Sequence, residues 1–377
     1  MLTIDLTAVV ANYHKIKNHV GTSEVAAVVK ANAYGLGMAK VAKALRAVGC
    51  ECFFVATLDE GIALRQNLQS YNATHIVVLQ GIEEVARIND FIAFNLIPVV
   101  NTKEQLHYWQ QQAQKRHQKL PCFLHIDTGM NRLGFAEETW LKLCGQKVQS
   151  FEGLEICYVM SHLACADLEH HEMNQRQLEK FNNLRQKLPS QVRASLANSS
   201  GIFKGKNYHF DMIRPGIALY GGNPKPWTEN PMKPVVSLTV RILQKQNIKS
   251  GSAVGYGAQF KASGSTCILT IGLGYADGFW RCLENQASVY IKGQALPVVG
   301  RVSMDLITVD ASLYKGPEQD LEAGAFVEIL GKHQKIDSLA KQAKTISYEV
   351  LTSLGLRHQR CYLGLESESK DNDHTNE

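Results

Sequence analysis

The sequence predicts two domains of different class, a (β/α)8 barrel followed by a mostly-β domain. Three observations carry this. Through residues 1–222, short runs rich in Val and Ile alternate with amphipathic stretches long enough for helices, which is the pattern of βαβ units on a parallel sheet. A proline cluster, Pro224, Pro226, Pro231 and Pro234, follows Gly221-Gly222 and breaks the pattern. Beyond it, apolar runs are separated by turns with Gly or Pro, as in an antiparallel β domain.

Eight runs fill the first region, at 25–29, 52–56, 75–79, 97–100, 122–126, 155–160, 193–197 and, more weakly, 210–213. Eight β-then-α units favour closure into a TIM-like barrel, because closure removes exposed strand edges. Residues 38–48 form an apolar stripe at helical spacing ended by Gly49, Thr57 with Glu60 supplies a capping box, and 172–188 ahead of Pro189 reads as another helix. The predicted organisation is a barrel over 1–222, with the first few residues free to pair with the C-terminal domain, and a linker over 223–234. A β-rich domain follows over 235–365, with strands at 235–243, 266–271, 287–291, 306–309 and 325–330 and a helix at 337–343. The tail 366–377 holds no apolar residue and predicts disorder.

Composition excludes several function classes. The formal net charge is +5, from 40 basic and 35 acidic residues without long blocks of one sign, which argues against nucleic acid as partner. Nine scattered cysteines form no Cys-x-x-Cys pair and no zinc spacing, so no metal site is expected and a reducing compartment is. No basic leader and no membrane-length apolar run is visible, which predicts a cytoplasmic protein without membrane contact.

Barrel enzymes carry their chemistry at the C-terminal ends of strands. The first run delivers Lys30, then Tyr34, Gly35 and Gly37. Such a lysine either snorkels to solvent or, losing hydration, becomes a nucleophilic amine. The fifth ends in Asp127-Thr-Gly-Met-Asn-Arg132-Leu-Gly134, a loop that grips an anion or aromatic oxygen or is a turn bonding its own backbone. The sixth, seventh and eighth lead to Ser161-His162, Asn198-Ser199 and Arg214-Pro-Gly-Ile-Ala-Leu-Tyr-Gly221. Glycine in the last lets backbone N–H groups approach a phosphate.

These segments resemble the bacterial alanine racemases, enzymes of fold type III that use pyridoxal phosphate. The matching stretches are Ala27-Val-Val-Lys-Ala-Asn-Ala-Tyr-Gly35, Asp127–Gly134, Asn198-Ser199, Arg214–Gly221, Val254-Gly-Tyr-Gly-Ala258, Gly274-Tyr-Ala-Asp-Gly278, Gly300-Arg-Val-Ser-Met-Asp305 and Tyr348-Glu349. They run in family order across nearly the whole chain, and the eight together are highly specific. The resemblance implies an isomerase interconverting L- and D-alanine by two bases, with D-alanine supplied for peptidoglycan. It implies Lys30 as the residue covalently linked to the cofactor and as one base. Tyr34, Ser199, Gly216, Ile217 and Tyr348 are implied at the phosphate, Arg214 at the pyridine nitrogen, and Asn198 and His162 beside the cofactor. Tyr256, assisted by His162 and Arg214, is the implied second base, donated by the partner of a homodimer. Met304, also from the partner, binds the substrate carboxylate through its backbone N–H. Arg132 steadies the cofactor phenolic oxygen and the substrate, and Tyr275 narrows access.

Two positions depart from the family pattern. Many members carry, where His125 stands, a lysine modified to a carbamate that buttresses the arginine matching Arg132; histidine forms no stable carbamate, which leaves a bound anion or His125 itself to orient Arg132. Ser195 stands where some relatives have a histidine, which predicts a shorter relay behind His162. Rival readings are a decarboxylase on the same two domains, a non-catalytic cofactor-binding barrel, and a racemase of broad range. The matched C-terminal segments weigh against the first two.

Overall fold

A computed structural model describes residues 1–68, 73–145 and 148–364. The tail 366–377 lies outside the described residues, as does residue 365. The chain divides into two compact units, one over residues 9–232 and the other from residues 1–8 with the chain from 233 onward.

Strand β1 (Leu2–Asp5) opens the second unit, and the helix Leu6–Val20 leads into the first. There β2 (Glu24–Val25) and β3 (Ala27–Val28) are halves of one extended run interrupted at Ala26. They are followed by β4 (Cys52–Val55), β5 (His75–Val78), β6 (Ile97–Val100), β7 (Leu120–His125), β8 (Leu154–Met160), β9 (Arg193–Asn198) and β10 (Met212–Arg214). Each strand pairs in parallel with the next, from Val28 opposite Phe54 round to Met212 opposite Ser195. The ring closes because β10 pairs back with β2, Ile213 opposite Val25. The split first run therefore serves both neighbours, and the sheet is an eight-unit barrel.

The helices between strands follow from capping and apolar spacing. Thr57 Oγ1 accepts the Glu60 N–H at 3.3 Å and opens the helix Leu58–Asn67; Thr102 does the same for Lys103–Arg116 through Gln105. Inside the ring, Phe54 meets Phe123 edge-on at 5.6 Å, and Phe123 stacks on Tyr158 at 4.9 Å. Phe54 and Phe123 stand on strands three apart, so their contact crosses the interior, which is a packed plug rather than a pore. The last strand starts two residues later than its hydrophobic run, because Phe210 takes a positive φ of 50° and turns the chain before Met212.

In the second unit the long β11 (Val236–Ile248) organises the sheet. Its first half pairs antiparallel with β1, Leu2 opposite Leu238, and its second half with β14 (Thr266–Ile271). The short β12 (Ala253–Val254) and β13 (Phe260–Lys261) form a hairpin between them. The order continues through β15 (Ser288–Ile291), β16 (Gln294–Pro297), β17 (Ile307–Asp310) and β18 (Phe326–Leu330), and β19 (Arg360–Leu363) lies parallel to β1. Leu2 and Ile4 are fully buried, so the first five residues belong to the C-terminal sheet and not to the barrel. The helix Ile336–Gln342 covers this core.

Candidate active site

The first barrel strand ends on an unusual turn. Lys30 follows Val29 directly, and then Ala31, Asn32, Ala33 and Tyr34 all have φ between 51° and 55°. Each non-glycine residue in this left-handed conformation costs about 1–2 kcal/mol, so four in a row require external support. Ala33 N–H donates to Val29 O and Gly35 N–H to Ala31 O, both at 2.8 Å, and Asn32 Oδ1 accepts the Met38 N–H at 2.8 Å. The Glu60 carboxylate accepts the N–H groups of Ala31 at 2.6 Å and Ala56 at 2.7 Å. Burial and the Arg132 cation lower the pKa of the Lys30 amine, and Glu60 opposes them.

Below this rim lies Arg214, 3% exposed, at the end of β10. Its guanidinium donates to Ser195 Oγ, to Ser161 O at 2.6 Å and to Leu196 O at 3.3 Å, and stands 3.5 Å from His162 Nδ1. None of these acceptors is a carboxylate. Burial lowers its pKa to about 10, which leaves it cationic at neutral pH. Desolvation, then the charges of Arg214 and Arg132, push His162 well below its ordinary range. Because a guanidinium only donates, Nδ1 of His162 is the acceptor and its proton sits on Nε2.

A second cluster gathers at the ends of β9 and β10. Ser199, 2% exposed, accepts the N–H groups of Gly216 at 2.9 Å and Ala218 at 3.3 Å. A Cβ on Gly216 would collide with the Tyr34 hydroxyl, so only a bare backbone fits between them. Among the described residues the buried Ile217 N–H has no acceptor. The Ser199 hydroxyl, which accepts both N–H groups and keeps its own proton to donate, and the open Ile217 N–H beside it suit a phosphate. Asn198 turns its Oδ1 to the Gly201 N–H at 2.9 Å and so shapes the loop.

In the loop after β7, Asp127 is spent on backbone, accepting the N–H groups of Gly129 at 2.9 Å and Asn131 at 3.1 Å. The self-bonded turn is thus what this carboxylate builds, and Arg132 is left exposed with no hydrogen-bond partner among the described residues. His125 Nδ1 lies 2.8 Å from Asn101 Oδ1. The Asn101 amide nitrogen already donates to Leu79 O and Val99 O, so its oxygen faces the imidazole. His125 therefore carries its proton on Nδ1 and offers Nε2 as an acceptor. Burial and Arg214 lower its pKa to about 4. Buried Gln177 ties the neighbouring loops together, donating to Thr128 Oγ1 at 3.2 Å and His162 O at 2.8 Å and accepting the Ala164 N–H at 2.8 Å.

The other expected residues stand on the β-rich unit. Tyr256, 71% exposed, projects from a turn between Gly255 and Gly257, at φ 74° and 73°. It borders an open hollow of about 420 Å3 shared with Thr270, Arg301, Ser303 and Ile307. Tyr275 and Met304, 41% and 53% exposed, are neighbours, since Tyr275 N–H donates to Ser303 O and Ala276 N–H to Met304 O, both at 3.0 Å. Arg357 clamps their loops by bonding Asp277 at 2.8 and 3.0 Å and Asp305 at 2.6 Å. Tyr348 lies on the helix Ser347–Thr352, partly exposed.

Two family models match in sequence, the alanine racemase N-terminal domain over residues 4–224 and C-terminal domain over 235–362. The chain belongs to the alanine racemase family. A catabolic alanine racemase of Mesorhizobium japonicum is 45% identical over 97% of this chain and 93% of its own length. The alanine racemase of Rhodospirillum rubrum is 43% identical over 98% of this chain and 97% of its own. The alanine racemase of Bartonella henselae, solved with covalently bound pyridoxal phosphate, is 40% identical and superimposes with a TM-score of 0.90 over 96% of this chain and 99% of that one.

As an alanine racemase family member, the chain displays supports that motif reading passes over: Glu60, Asn101, Gln177 and Arg357. Only Glu60 had a signal in sequence, as the second half of a capping box, and its carboxylate serves the Lys30 turn instead. Among the described residues no helix is long and apolar enough to cross a membrane, and no cluster of three or more ligands could hold a metal.

His125 makes stability depend on pH. The folded chain takes up this proton only near pH 4, the unfolded chain near the ordinary value of about 6.5. Between these values the unfolded state binds more protons, so stability falls as pH falls. From about pH 6.5 to about 5 the loss through His125 is about 2 kcal/mol. Urea melts at both pH values should show a smaller loss in His125→Asn, which keeps the bond to Asn101 and does not titrate; equal losses would contradict the assignment.

Proposed function

We propose that this chain interconverts L- and D-alanine with pyridoxal phosphate held at the barrel rim. The observation that carries the reading is the convergence of Lys30, the Ser199–Gly216–Tyr34 cradle and the carboxylate-free cation Arg214 on one end of the barrel. Ser199, Tyr34, the Ile217 N–H and the bare backbone of Gly216 would take the phosphate, with Tyr348 as a further ligand. Lys30 would take the covalent link, Arg214 the ring nitrogen, Asn198 and His162 the flanks of the ring, and Arg132 the phenolic oxygen. When bound, the cofactor withdraws electrons from an attached amino acid and makes its α C–H acidic. A guanidinium cannot give the ring nitrogen a proton as a carboxylic acid would, so Arg214 moderates that withdrawal and disfavours side reactions.

Inversion requires a proton removed from one face of the α-carbon and one returned to the other. Lys30, already lowered in pKa by burial and Arg132, serves one face. Tyr256, exposed on its own subunit, serves the other in the site of a partner subunit. His162, neutral and bonded to Arg214 at Nδ1, keeps Nε2 for the tyrosine. Met304, whose N–H has no acceptor among the described residues, binds the substrate carboxylate from the same partner, and Tyr275 narrows the way in. The exposed Tyr256, Met304, Tyr275 and Leu306 are the face such a homodimer would cover.

We assign the product to peptidoglycan synthesis in the cytoplasm. The relatives named catabolic support degradative use of D-alanine as the second reading. Cells lacking the gene should require D-alanine for growth; growth without it, coupled to loss of growth on D-alanine as nutrient, favours the second.

The shared site has a direct test. Lys30→Ala and Tyr256→Phe should each be nearly inactive, but in a mixed dimer one of the two sites regains both bases. Co-refolded subunits should recover about a quarter of wild-type activity. Mixed dimers with no recovery would refute donation across the interface.

A further inference from the structure

Glu60 lies outside the cradle and the two bases, yet its carboxylate holds the chain where Lys30 departs. In a parallel ladder with Val28 opposite Phe54, the last backbone rung is Val29 N–H to Phe54 O, at 2.9 Å. The next two rungs would take the Ala56 N–H to Val29 O and the Ala31 N–H to Ala56 O. Neither N–H makes its rung. Both donate to Glu60, Ala31 to Oε1 and Ala56 to Oε2, while Ala56 O accepts Gln80 N–H at 3.1 Å from the following strand. The carboxylate thus takes the place of those rungs, and the backbone pairing of β3 with β4 ends at Val29, one residue before Lys30.

That ending releases the backbone into the left-handed turn Ala31–Tyr34. Lys30 sits at its start and Tyr34 at its end, so one carboxylate fixes the origin of both side chains. We infer that Glu60 is a positioning residue for the reaction: it caps the left-handed turn and thereby sets the Lys30 amine and the Tyr34 hydroxyl relative to the cofactor. The inference rests on the reading of Lys30 and Tyr34 given above. The geometry also explains why a charged acceptor stands there, since a carboxylate has two acceptor oxygens for two N–H groups. A carboxamide has one, and its amino group would face the second N–H. Glu60 also opposes the lowering of the Lys30 pKa by burial and Arg132, so removing its charge shifts the amine further down.

The test uses full-length holoenzyme as wild type, Glu60→Gln and Glu60→Ala. Amide hydrogen exchange read on peptides covering Ala31 and Ala56 should be faster in both variants, and fastest in Glu60→Ala. For alanine, kcat should fall about tenfold in Glu60→Gln with KM changed less than about threefold, the size expected for one lost charge-assisted hydrogen bond. The acid limb of its kcat profile should move to lower pH. If Glu60→Ala does not fold, Glu60→Gln alone decides, because it keeps side-chain volume and one acceptor. A lower Tm with kcat, acid limb and Ala31 exchange all as in wild type would make Glu60 a stability residue and overturn the inference. Borohydride should fix the cofactor on Lys30 in every folded variant. Failure of that step in wild type overturns the reading of the site itself, and is distinguishable from wild type that is labelled while the variants behave like it.

Discussion

A buried guanidinium without a carboxylate is the constraint on which the site depends. Arg214 spends its hydrogen bonds on a serine hydroxyl, two backbone carbonyls and an imidazole nitrogen. Its charge is therefore solvated but not neutralised. Buried charges are expensive unless paired, and the barrel meets this cost with neutral dipoles from the adjacent β9 and from the residues that follow β8. The consequence spreads outward: burial first and this charge second hold both nearby imidazoles neutral. The carboxylates that might have quenched this field, Asp127 and Glu60, are turned to backbone N–H groups instead. What results is a rim with a net positive character and an open N–H at Ile217, suited to a ligand that brings anionic oxygens.

The division of labour between the two units follows from their architecture. A parallel barrel delivers many strand ends to one rim, so it gathers the groups that must be held against one another. An antiparallel domain presents side chains on turns, and the Tyr256 turn, flanked by two glycines at positive φ, projects an aromatic ring that its own unit does not bury. Arg357 stiffens the second such element by bonding carboxylates from the Tyr275 and Met304 loops at once. Rigid presentation of groups that their own unit leaves exposed is the design expected of the homodimer proposed above.

Much of the barrel was legible because its strands are short, apolar and separated by stripes of helical period; all eight runs appear as strands, shifted by a few residues at most. The C-terminal sheet was less legible. β11 continues to Ile248 through Gln244, Lys245, Gln246 and Asn247, a polar stretch that periodicity ends too early and that only the β14 ladder explains. β12, β13, β16 and β19 are too short or too polar to announce themselves. Within the candidate site, the residues proposed to carry chemistry come from motif order, whereas the side chains that support them in the structure had no such signal. Nothing in the sequence says that Asn101 fixes the His125 tautomer, that Gln177 joins two loops, or that Asp127 serves the backbone. Those facts belong to contacts between segments far apart in the chain. The left-handed turn after Lys30 was equally hidden, because glycine is the usual signal for positive φ and Ala31, Asn32, Ala33 and Tyr34 lack it.

The measurement that bears most directly on this account is the titration of His162, followed by nitrogen NMR of histidine-labelled protein in wild type and Arg214→Met. If the buried guanidinium governs the site, the wild-type ring stays unprotonated through the ordinary histidine midpoint of about 6.5, with its proton on Nε2, and the substitution moves its midpoint upward. A wild-type midpoint near the ordinary value, or one indifferent to the loss of Arg214, would contradict it.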